Sequence, residues 1–269
     1  MIWADLHCHT TCSDGTVSPC ALIQMAKELN LRGLCITDHD TVAAYPEAIQ
    51  AAREARIHLG TGIEFSSVFA GHDVHILGYD IDLESEALAE LCKKHESRRT
   101  KRNQQIVENL RKEGMEIPQL SSKGILGRPH IAAALVEQGH VSSIKEAFRL
   151  YLGEGKRCYV RGETVSIEET IRAIHAAKGK AFLAHPHLLP SNVPIPKLLE
   201  NPFDGIECFY GTMPSSDKWQ KVAAEKKLFV SGGSDFHGAT RPHVSLGCQG
   251  VDEKTFNRIF NHVCAGRTF

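Results

Sequence analysis

The amino-acid sequence predicts an α/β fold, in which a parallel, barrel-like core carries a smaller, mainly helical insertion. Three features of the 269 residues support this prediction. Strand-like and helix-like segments alternate at both ends of the chain, which is typical of a parallel α/β core. In the middle the alternation stops and helical patterns dominate. Histidine and acidic residues recur where predicted strands end, and barrels of this class place their functional side chains there.

The first third of the chain follows the alternating pattern. Strands are predicted over residues 2–7 (IWADLH) and 33–37 (GLCIT). Between them, Ser18 followed by Pro19 indicates a helix start, because serine caps the first turn and proline fits its first position. A second helix is predicted over roughly 42–55, and two strands, 61–69 and 73–81, are predicted around a turn that contains Gly71.

The pattern changes after Leu83. A long helix with a charged middle is predicted over 85–113, followed by shorter helices over 129–138 and 143–150. The next strand signal is CYV, at 158–160. We therefore assign residues 1–95 and 161–269 to the barrel domain and residues 96–160 to the helical insertion.

The alternation resumes in the last third of the chain. Ser166 and Glu169 have the spacing of a capping box, which predicts a helix that Gly179 ends. The remaining units are strands over 181–186, 204–210 and 228–235, and helices over 215–227 and 252–266.

Composition excludes several classes of protein. With 42% hydrophobic and 23% charged residues, the chain is ordinary for a globular protein. It contains no run of about 18 apolar residues that would predict a transmembrane helix, and its first residues lack the basic and apolar regions of a signal peptide. The nine cysteines are scattered without a Cys-x-x-Cys pair, which favours a reducing cytoplasm over a disulfide framework.

The net charge of −1 conceals an uneven distribution. Residues 93–161 contain 15 Lys and Arg against 7 Asp and Glu, whereas the rest of the chain is acidic. Such a segment is either a solvated helical face or the binding region for an anionic partner. We interpret it as a contribution of the insertion to the recognition of substrate phosphate.

Residues with metal-ligand chemistry cluster at the predicted strand ends. His7 and His9 lie two apart on one strand, so both rings point to the same face, while Cys8 points away. Imidazole and carboxylate ligands without thiolate suit zinc, manganese or iron. The strand-end residues are His7, His9, Asp14, Asp38, His39, Asp40, Glu64, His75, His185, Asp235 and His237.

Six motifs along the chain, DLHCHT, ITDHD, GIEFS, DVHILGY, AHP and SDFH, resemble in order those of the PHP (polymerase and histidinol phosphatase) superfamily. The segment GRPHIA, residues 127–132, resembles the branch that contains the 3′,5′-nucleoside bisphosphate phosphatases and the 5′→3′ exoribonuclease RNase AM. The resemblance covers essentially the whole chain. It implies a distorted seven-stranded (β/α) barrel, the PHP fold, with a trinuclear metal site.

The resemblance also implies which residues bind metal. Two or three divalent transition-metal ions (Mn, Zn or Fe) are the expected cofactors. Asp14 occupies a position that some relatives fill with histidine. Aspartate can still ligate a metal there, and it adds a negative charge that histidine would not. The implied ligand sets are His7, His9, Glu64 and Asp235 for the first metal, Glu64, His75 and His185 for the second, and Asp14, His39 and His237 for the third.

Other residues are candidates for supporting roles. Asp5 and Asp38 are placed to orient ligating imidazoles. For substrate, Arg128 is the best candidate, since a guanidinium group matches phosphate with two parallel hydrogen bonds. Its neighbour His130 and the strand-end Arg241 come next. Lys156, Arg157 and Arg161, where the chain returns to the barrel, are weaker candidates.

These features predict a metal-dependent phosphoesterase that acts on nucleotides. Its expected reaction is removal of the 3′-phosphate of 3′,5′-nucleoside bisphosphates, degradation of short 5′-phosphorylated RNA from the 5′ end, or both. The attacking group is expected to be a metal-activated water held by Glu64, Asp235 and His185. No membrane association and no obligate protein partner is predicted.

Three alternatives remain open from the sequence alone. A histidinol-phosphatase-like or other small phosphomonoesterase would use the same ligands. An amidohydrolase-type enzyme would use similar His-x-His metals on a C–N bond, although a neutral amide does not need the basic insertion. A nucleotide-binding or polymerase-associated module with a degenerate site is disfavoured, because all nine implied ligand positions are filled.

Overall fold

The computed structural model describes residues 2–120, 124–211, 213 and 216–264. Within these residues the chain forms an α/β fold of eight strands and nine α-helices. The strands are β1 (Ala4–Cys8), β2 (Gly33–Ile36), β3 (His58–Gly60), β4 (Gly62–Phe69), β5 (His72–Tyr79), β6 (Lys180–Leu183), β7 (Gly205–Tyr210) and β8 (Phe229–Gly233). The helices are α1 (Pro19–Glu28), α2 (Tyr45–Ala55), α3 (Glu86–Lys112), α4 (Arg128–Glu137), α5 (Ile144–Ala147), α6 (Ile167–Ala176), α7 (Ile195–Leu198), α8 (Asp217–Lys226) and α9 (Glu253–Ile259).

The strands form two sheets. In the three-stranded sheet, β1, β2 and β3 run parallel in that order. In the five-stranded sheet, ordered β4 to β8, the neighbours β4–β5 and β5–β6 are antiparallel, whereas β6–β7 and β7–β8 are parallel. The expected parallel arrangement is therefore only partly correct. The turn at Ala70 and Gly71, both with positive φ, joins β4 directly to β5, so no helix is available to return the chain for a parallel pairing.

The two sheets meet at both of their edges through short backbone contacts. At one edge, Asp235 N donates to His7 O at 2.8 Å and His9 N donates to Phe236 O at 2.9 Å. At the other, Asp40 N donates to Glu64 O at 2.9 Å. These contacts bring the ends of β1, β2 and β8 together with β4, and the candidate ligands lie at this meeting point.

Local sequence signals account for several helix starts. The Ser18 side chain accepts a hydrogen bond from Ala21 N, and Ser166 accepts one from Glu169 N, which confirms both predicted N-caps. Arg56, with φ 60°, ends α2 in the left-handed conformation. Short β3, directly before β4, was not predicted, since three residues give too little alternation to recognise.

The middle of the chain contains its own hydrophobic cluster. Side chains from α3, α4 and the following segment pack together, among them Ile106, Leu110, Ile131, Leu135 and Cys158. The predicted helices are present, and the third continues as a π-helical turn over Phe148–Leu152. The strand predicted at 158–160 is wrong, because this segment forms turns and extended backbone without a strand partner among the described residues.

The last helix is shorter than predicted. It ends at Ile259, after which Phe260 is extended, and the predicted end at residue 266 lies outside the described residues. A search of the described helices finds none that combines the length and the apolarity required to cross a membrane.

Candidate metal centre

Nine histidine and acidic side chains converge where the two sheets meet. The short loops after β1, β2, β6 and β8 contribute most of them, while Glu64 and His75 come from the facing strands β4 and β5. Eight of the nine are at most about one-tenth exposed at the side chain, and His75 is 28% exposed. We call His7, His9, Asp14, His39, Glu64, His75, His185, Asp235 and His237 the ligand cluster.

The first implied set forms a compact group of four ligand atoms. His7 Nε2 lies 3.3 Å from Glu64 Oε2 and 3.4 Å from Asp235 Oδ1. His9 Nε2 lies 3.2 Å from each of the same two oxygens. Separations of about 3.3 Å are the edges of a tetrahedron with bonds of about 2.0–2.1 Å, as in zinc sites. The four atoms are therefore spaced to hold one metal ion.

The second implied set gathers around the other oxygen of Glu64. Glu64 Oε1 lies 2.9 Å from His75 Nδ1 and 2.8 Å from His185 Nε2. His39 Nδ1 lies 3.1 Å from Glu64 Oε2, and His39, Glu64 and His75 form a possible metal-binding group of which His185 is not a member. Glu64 Oε1 thus faces His75 and His185, whereas Oε2 faces His7, His9 and His39, so this carboxylate is placed to contribute to two metal sites.

The third implied set also comes together. His237 Nε2 lies 3.3 Å from Asp14 Oδ1, and His39 Nε2 lies 3.8 Å from Asp14 Oδ2. His9 belongs to this group as well, with its Nδ1 at 3.7 Å from Asp14 Oδ1. His9 and His39 are therefore each within reach of two groups, which the sequence motifs did not indicate.

The donor atoms suit metal ions. Four imidazole nitrogens that face the carboxylates are buried without a hydrogen-bond partner among the described residues, namely His7 Nε2, His9 Nε2, His39 Nδ1 and His237 Nε2. A buried polar atom without a partner is destabilising, and a metal ion would satisfy these four. The thiol of Cys8 is turned away and donates to Cys35 O, as the strand alternation predicted.

Charge compensation within the cluster shifts its pKa values. Burial alone would raise the pKa of Glu64, but the imidazoles of His39, His7 and His75 overcome it and hold that pKa well below its usual range. Burial would lower the pKa of His9, but its contacts with Asp235 and Glu64 raise it to about 9. The pKa of His39 falls to about 3, because burial outweighs Glu64 and Asp14.

Asp5 and Asp38 lie beside the cluster, but their carboxylates accept hydrogen bonds from backbone amides and hydroxyl groups rather than from an imidazole. Asp5 accepts from the backbone amides of His7, Ser234 and Gly247. Asp38 accepts from Thr10 N at 2.7 Å and from the Ser13 hydroxyl at 2.5 Å. Among the described hydrogen bonds, Asp38 is linked to an imidazole through Ser13, whose hydroxyl lies 3.4 Å from His9 Nδ1.

A buried glutamate that the sequence reasoning missed contacts the cluster directly. Glu207 Oε1 lies 2.8 Å from His7 Nδ1, and Glu207 Oε2 accepts from His185 N at 2.7 Å. The residue lies in the middle of β7, in DGIECFY. An acidic residue inside an otherwise apolar strand was the signal that could have identified it.

A cavity of about 220 Å³ adjoins the cluster and is rich in arginine. His39, His75 and Asp14 of the cluster are among its lining residues. We call Arg98, Arg99, Arg102 and Arg128, which line the same cavity, the arginine wall.

The three arginines of α3 were not among the predicted substrate residues. Arg98 and Arg99 are adjacent in the helix, Arg102 follows one turn later, and all three are at most 9% exposed. Arg99 Nε donates to Asp40 Oδ2 at 2.6 Å, and Arg98 Nη2 lies 3.8 Å from the same oxygen. Asp40 directly follows His39, so the wall is attached to the loop that carries a candidate ligand.

Arg102 has no carboxylate partner among the described ion pairs. Its hydrogen bonds go to the side-chain oxygen of Asn103, at 3.2 and 3.4 Å. Burial, with Arg99, Arg128 and Arg98 nearby, lowers its pKa to about 9. A buried guanidinium without a counter-ion is unfavourable unless an anion joins it, so this point of the cavity favours an anionic ligand.

The predicted substrate residues occupy different places. Arg128 lines the cavity, with Asp73 at 3.7 Å and the Tyr159 ring at 5.4 Å. His130 Nδ1 instead accepts from Gly127 N at 2.9 Å and caps α4. Arg241 lines the cavity but is ion-paired with the candidate ligand Asp235.

The three weaker candidates are less central. Arg161 lines the cavity, although its guanidinium is bound to Glu154 and to Gly71 O. Lys156 is exposed, and Arg157 is exposed and paired with Glu113 at 3.2 Å. Neither Lys156 nor Arg157 is among the residues that line this cavity.

A cluster of imidazoles and carboxylates next to a group of arginines suits a metal-dependent hydrolase of phosphate esters. The family model for the PHP domain matches residues 5–183. The chain therefore belongs to the PHP domain family and is a metal-dependent phosphoesterase.

Curated relatives agree with this class. The chain is 36% identical over 259 residues to the 5′-3′ exoribonuclease Rnm of Escherichia coli, covering 90% of this chain and 87% of that protein. It is 32% identical over 246 residues to the 3′,5′-nucleoside bisphosphate phosphatase of Chromobacterium violaceum, covering 87% of this chain and 86% of that protein.

Two solved structures share this fold. A candidate metal-dependent phosphoesterase from Bifidobacterium adolescentis superposes with a TM-score of 0.86 at 31% identity, covering 95% of this chain and 94% of that one. A protein from Chromobacterium violaceum described as an amidohydrolase, with bound sulfate and no metal, gives 0.83 at 30% identity, covering 94% and 93%.

Proposed function

We propose that this phosphoesterase removes the 3′-phosphate of 3′,5′-nucleoside bisphosphates, degrades short 5′-phosphorylated RNA from its 5′ end, or does both. The observation that carries the proposal is that residues of the ligand cluster and the arginine wall line one and the same cavity. A substrate with two phosphate groups would place one at the cluster and the other at the arginines. The names of the two curated relatives support this substrate class.

We propose that the ligand cluster holds two or three divalent transition-metal ions, manganese, zinc or iron, in the three sets described above. The four unpartnered imidazole nitrogens support this assignment. Divalent ions bound there would supply Lewis acidity, which neutralises phosphoryl oxygens and makes water nucleophilic at neutral pH.

The protein's own residues position the reaction. Glu64, Asp235 and His185 are proposed to hold the attacking water, since their polar atoms surround the region between the first two ligand sets. Arg241 and the Tyr210 hydroxyl both bind Asp235 Oδ2, which leaves Asp235 Oδ1 directed at the imidazoles. In this structure Arg241 therefore binds the Asp235 carboxylate. To contact a substrate phosphate as proposed, its guanidinium would have to bind the phosphate and Asp235 at the same time.

We propose that Arg99, Arg102 and Arg128 bind the phosphate that is not cleaved. Asp40 compensates one charge of the α3 arginines, so the wall keeps excess positive charge that a phosphate would neutralise. Two guanidinium groups can contact one phosphate with paired hydrogen bonds. Arg161 and His130 border this region and are proposed to assist only indirectly.

The finer description of the fold is also a proposal. If β3 and β4, separated only by Thr61, count as one broken strand, the edge contacts of the two sheets would close a distorted seven-stranded barrel. The separate hydrophobic cluster of the middle segment supports residues 96–160 as an insertion between barrel segments 1–95 and 161–269.

Phosphate release across a substrate panel tests the function. The panel contains a 3′,5′-bisphosphate, the matching 3′- and 5′-monophosphates, a 5′-phosphorylated oligoribonucleotide, histidinol phosphate and an amide. We expect the highest kcat/KM on the bisphosphate or the oligoribonucleotide. Equal kcat/KM on the monophosphates would contradict recognition of a second phosphate, and release of ammonia without phosphate would indicate amidohydrolase chemistry.

Elemental analysis of the purified protein tests the metal assignment independently of substrate. We expect two or three transition-metal equivalents per chain. One or none, with no gain in activity after manganese or zinc is added, would contradict the assignment.

A further inference from the structure

Glu207 is a buried carboxyl group whose two oxygens contact residues of two different ligand sets. Its side chain is 0% exposed, and no lysine or arginine of the described chain forms an ion pair with it. Oε1 lies 2.8 Å from His7 Nδ1, and Oε2 accepts from His185 N at 2.7 Å. Burying a carboxylate costs free energy unless its contacts compensate for the lost hydration. The two contacts of Glu207 provide such compensation.

The contact with His7 determines which ring nitrogen faces the cluster. When Nδ1 donates its proton to Glu207, the lone pair of the neutral ring is at Nε2. That atom is buried without a hydrogen-bond partner, 3.3 Å from Glu64 Oε2 and 3.4 Å from Asp235 Oδ1. Glu207 therefore prepares His7 to ligate through Nε2.

The contact with His185 determines a backbone conformation. His185 has φ 23° and ψ 58°, a sparsely populated left-handed region for a residue with a side chain. The hydrogen bond from its amide to Glu207 holds this turn at the end of β6. In this conformation the ring places Nε2 2.8 Å from Glu64 Oε1, in the second ligand set.

We propose that Glu207 is a positioning residue that couples the first and second metal positions. One oxygen fixes the tautomer of His7, and the other fixes the backbone of His185. The third set, Asp14, His39 and His237, has no described contact with Glu207 and supplies an internal reference. The inference rests on the ligand assignment of the proposed function.

Zinc binding to the metal-free protein tests the proposal without measuring activity. Equilibrium dialysis against buffered zinc gives the number of ions bound per chain at each free concentration, for the wild type and for Glu207→Gln. The glutamine amide can accept only one of the two hydrogen bonds and presents a donor to the other. We expect two of three binding steps to weaken by roughly 10- to 100-fold, as is typical when an outer partner of a ligand is changed, and the third step to remain unchanged.

Tyr45→Phe is the matched control for loss of a buried polar group. The Tyr45 hydroxyl donates to Ile36 O at 2.8 Å and accepts from Gly62 N, and neither partner is a residue of the ligand cluster. Its removal should lower stability and leave all zinc-binding steps unchanged. A Glu207→Gln profile equal to wild type, a shift of one step alone, or an equal shift of all steps would overturn the coupling role.

A measurement on the wild type keeps the proposal testable if Glu207→Gln does not fold. Heteronuclear NMR of ¹⁵N-histidine protein loaded with zinc reports which ring nitrogen carries a proton. We expect the His7 proton on Nδ1, assigned by its disappearance in His7→Asn. A proton on Nε2 would overturn the inference while leaving the metal site intact, whereas failure of the wild type to bind zinc would contradict the ligand assignment itself.

Discussion

The ligand cluster and the arginine wall contribute residues to the lining of one cavity, and both bury charged groups. In the cluster, imidazoles and carboxylates alternate, so the charges compensate and the pKa values of Asp14, Glu64 and Asp235 are held well below their usual range in spite of burial. In the wall, Asp40 faces Arg98 and Arg99, while Arg102 has no described carboxylate partner. The comparison indicates that the cluster suits the binding of metal cations, whereas the arginine wall suits the binding of an anion.

The two regions also differ in how the chain builds them. The cluster draws its nine residues from six segments, so its geometry depends on how separate strands and loops are placed. The wall draws three residues from one helix, so its position depends on how α3 packs against the barrel. Asp40 joins the two, because it follows His39 and binds Arg99. Apart from changes at Asp40, substitutions in the cluster and in the arginine wall should therefore have separable effects.

The largest effect is expected from Glu64→Gln. Its two oxygens face the first and second ligand sets, so the change should weaken two metal positions. With about 10–100-fold for each, we expect a loss on the order of 1,000-fold in turnover on every phosphate ester. Phosphate release and metal content should fall together, while the exposed control Glu200→Gln keeps both. Near-normal turnover would show that Glu64 does not bridge.

Asp40→Asn breaks the connection between the two regions. It leaves Arg99 and Arg98 buried without their carboxylate, which typically costs about 3–5 kcal/mol of unfolding free energy. Chemical unfolding of the metal-free protein measures this loss, with Asp82→Asn, which removes an exposed pair with Lys178, as the control. A change no larger than that of the control would contradict the role of Asp40.

The same variant has an expected pH dependence. Burial would raise the pKa of Asp40, but Arg99, His95 and Arg98 hold it below its ordinary value of 3.8. A carboxylate with a lowered pKa contributes stability that is complete above its unfolded pKa and is lost as the pH falls towards the folded one. The difference between wild type and Asp40→Asn should therefore be constant above about pH 4 and shrink below it. A constant difference down to pH 2.5 would contradict this.

Arg102→Ala tests the wall alone. Loss of a buried charged contact costs about 2–5 kcal/mol, so kcat/KM for the bisphosphate should fall by roughly 30-fold or more, with little change for monophosphates. Metal content should remain normal, and the exposed Arg149→Ala should behave as wild type. Equal losses on both substrate classes would place Arg102 at the cleaved phosphate or in the fold.

Arg128→Ala should have the smallest effect of the set, because Arg128 is more exposed and already pairs with Asp73. We expect a loss of roughly 10-fold for the bisphosphate alone, since a partly solvated contact is weaker than a buried one. Arg128→Lys should restore it only partly, because a point charge lacks the two-pronged geometry. Full restoration by lysine would show that charge alone matters.

The nine ligand-cluster residues were implied by short motifs that resemble those of the PHP superfamily. In the structure seven of the nine lie near or after a strand end, whereas Glu64 and His75 lie within β4 and β5. Strand alternation placed His7 and His9 on one face and Cys8 on the other, and the structure shows the same arrangement. Local capping signals likewise predicted the starts of α1 and α6. Such features depend on neighbouring residues, so the sequence is sufficient to define them.

Only the tertiary structure decided which charged residues are buried and what they contact. Arg98, Arg99 and Arg102 lie in a run that is typical of a solvated helical face, but all three are buried. Arg98 and Arg99 contact Asp40 and Ser66, which are far away in the sequence. In the sequence, Glu207 is a single acidic residue within a predicted strand. Only folding places His7, 200 residues away, in contact with its carboxylate. The free energy of burying a charge depends on its surroundings, and distant segments supply those only when the chain folds.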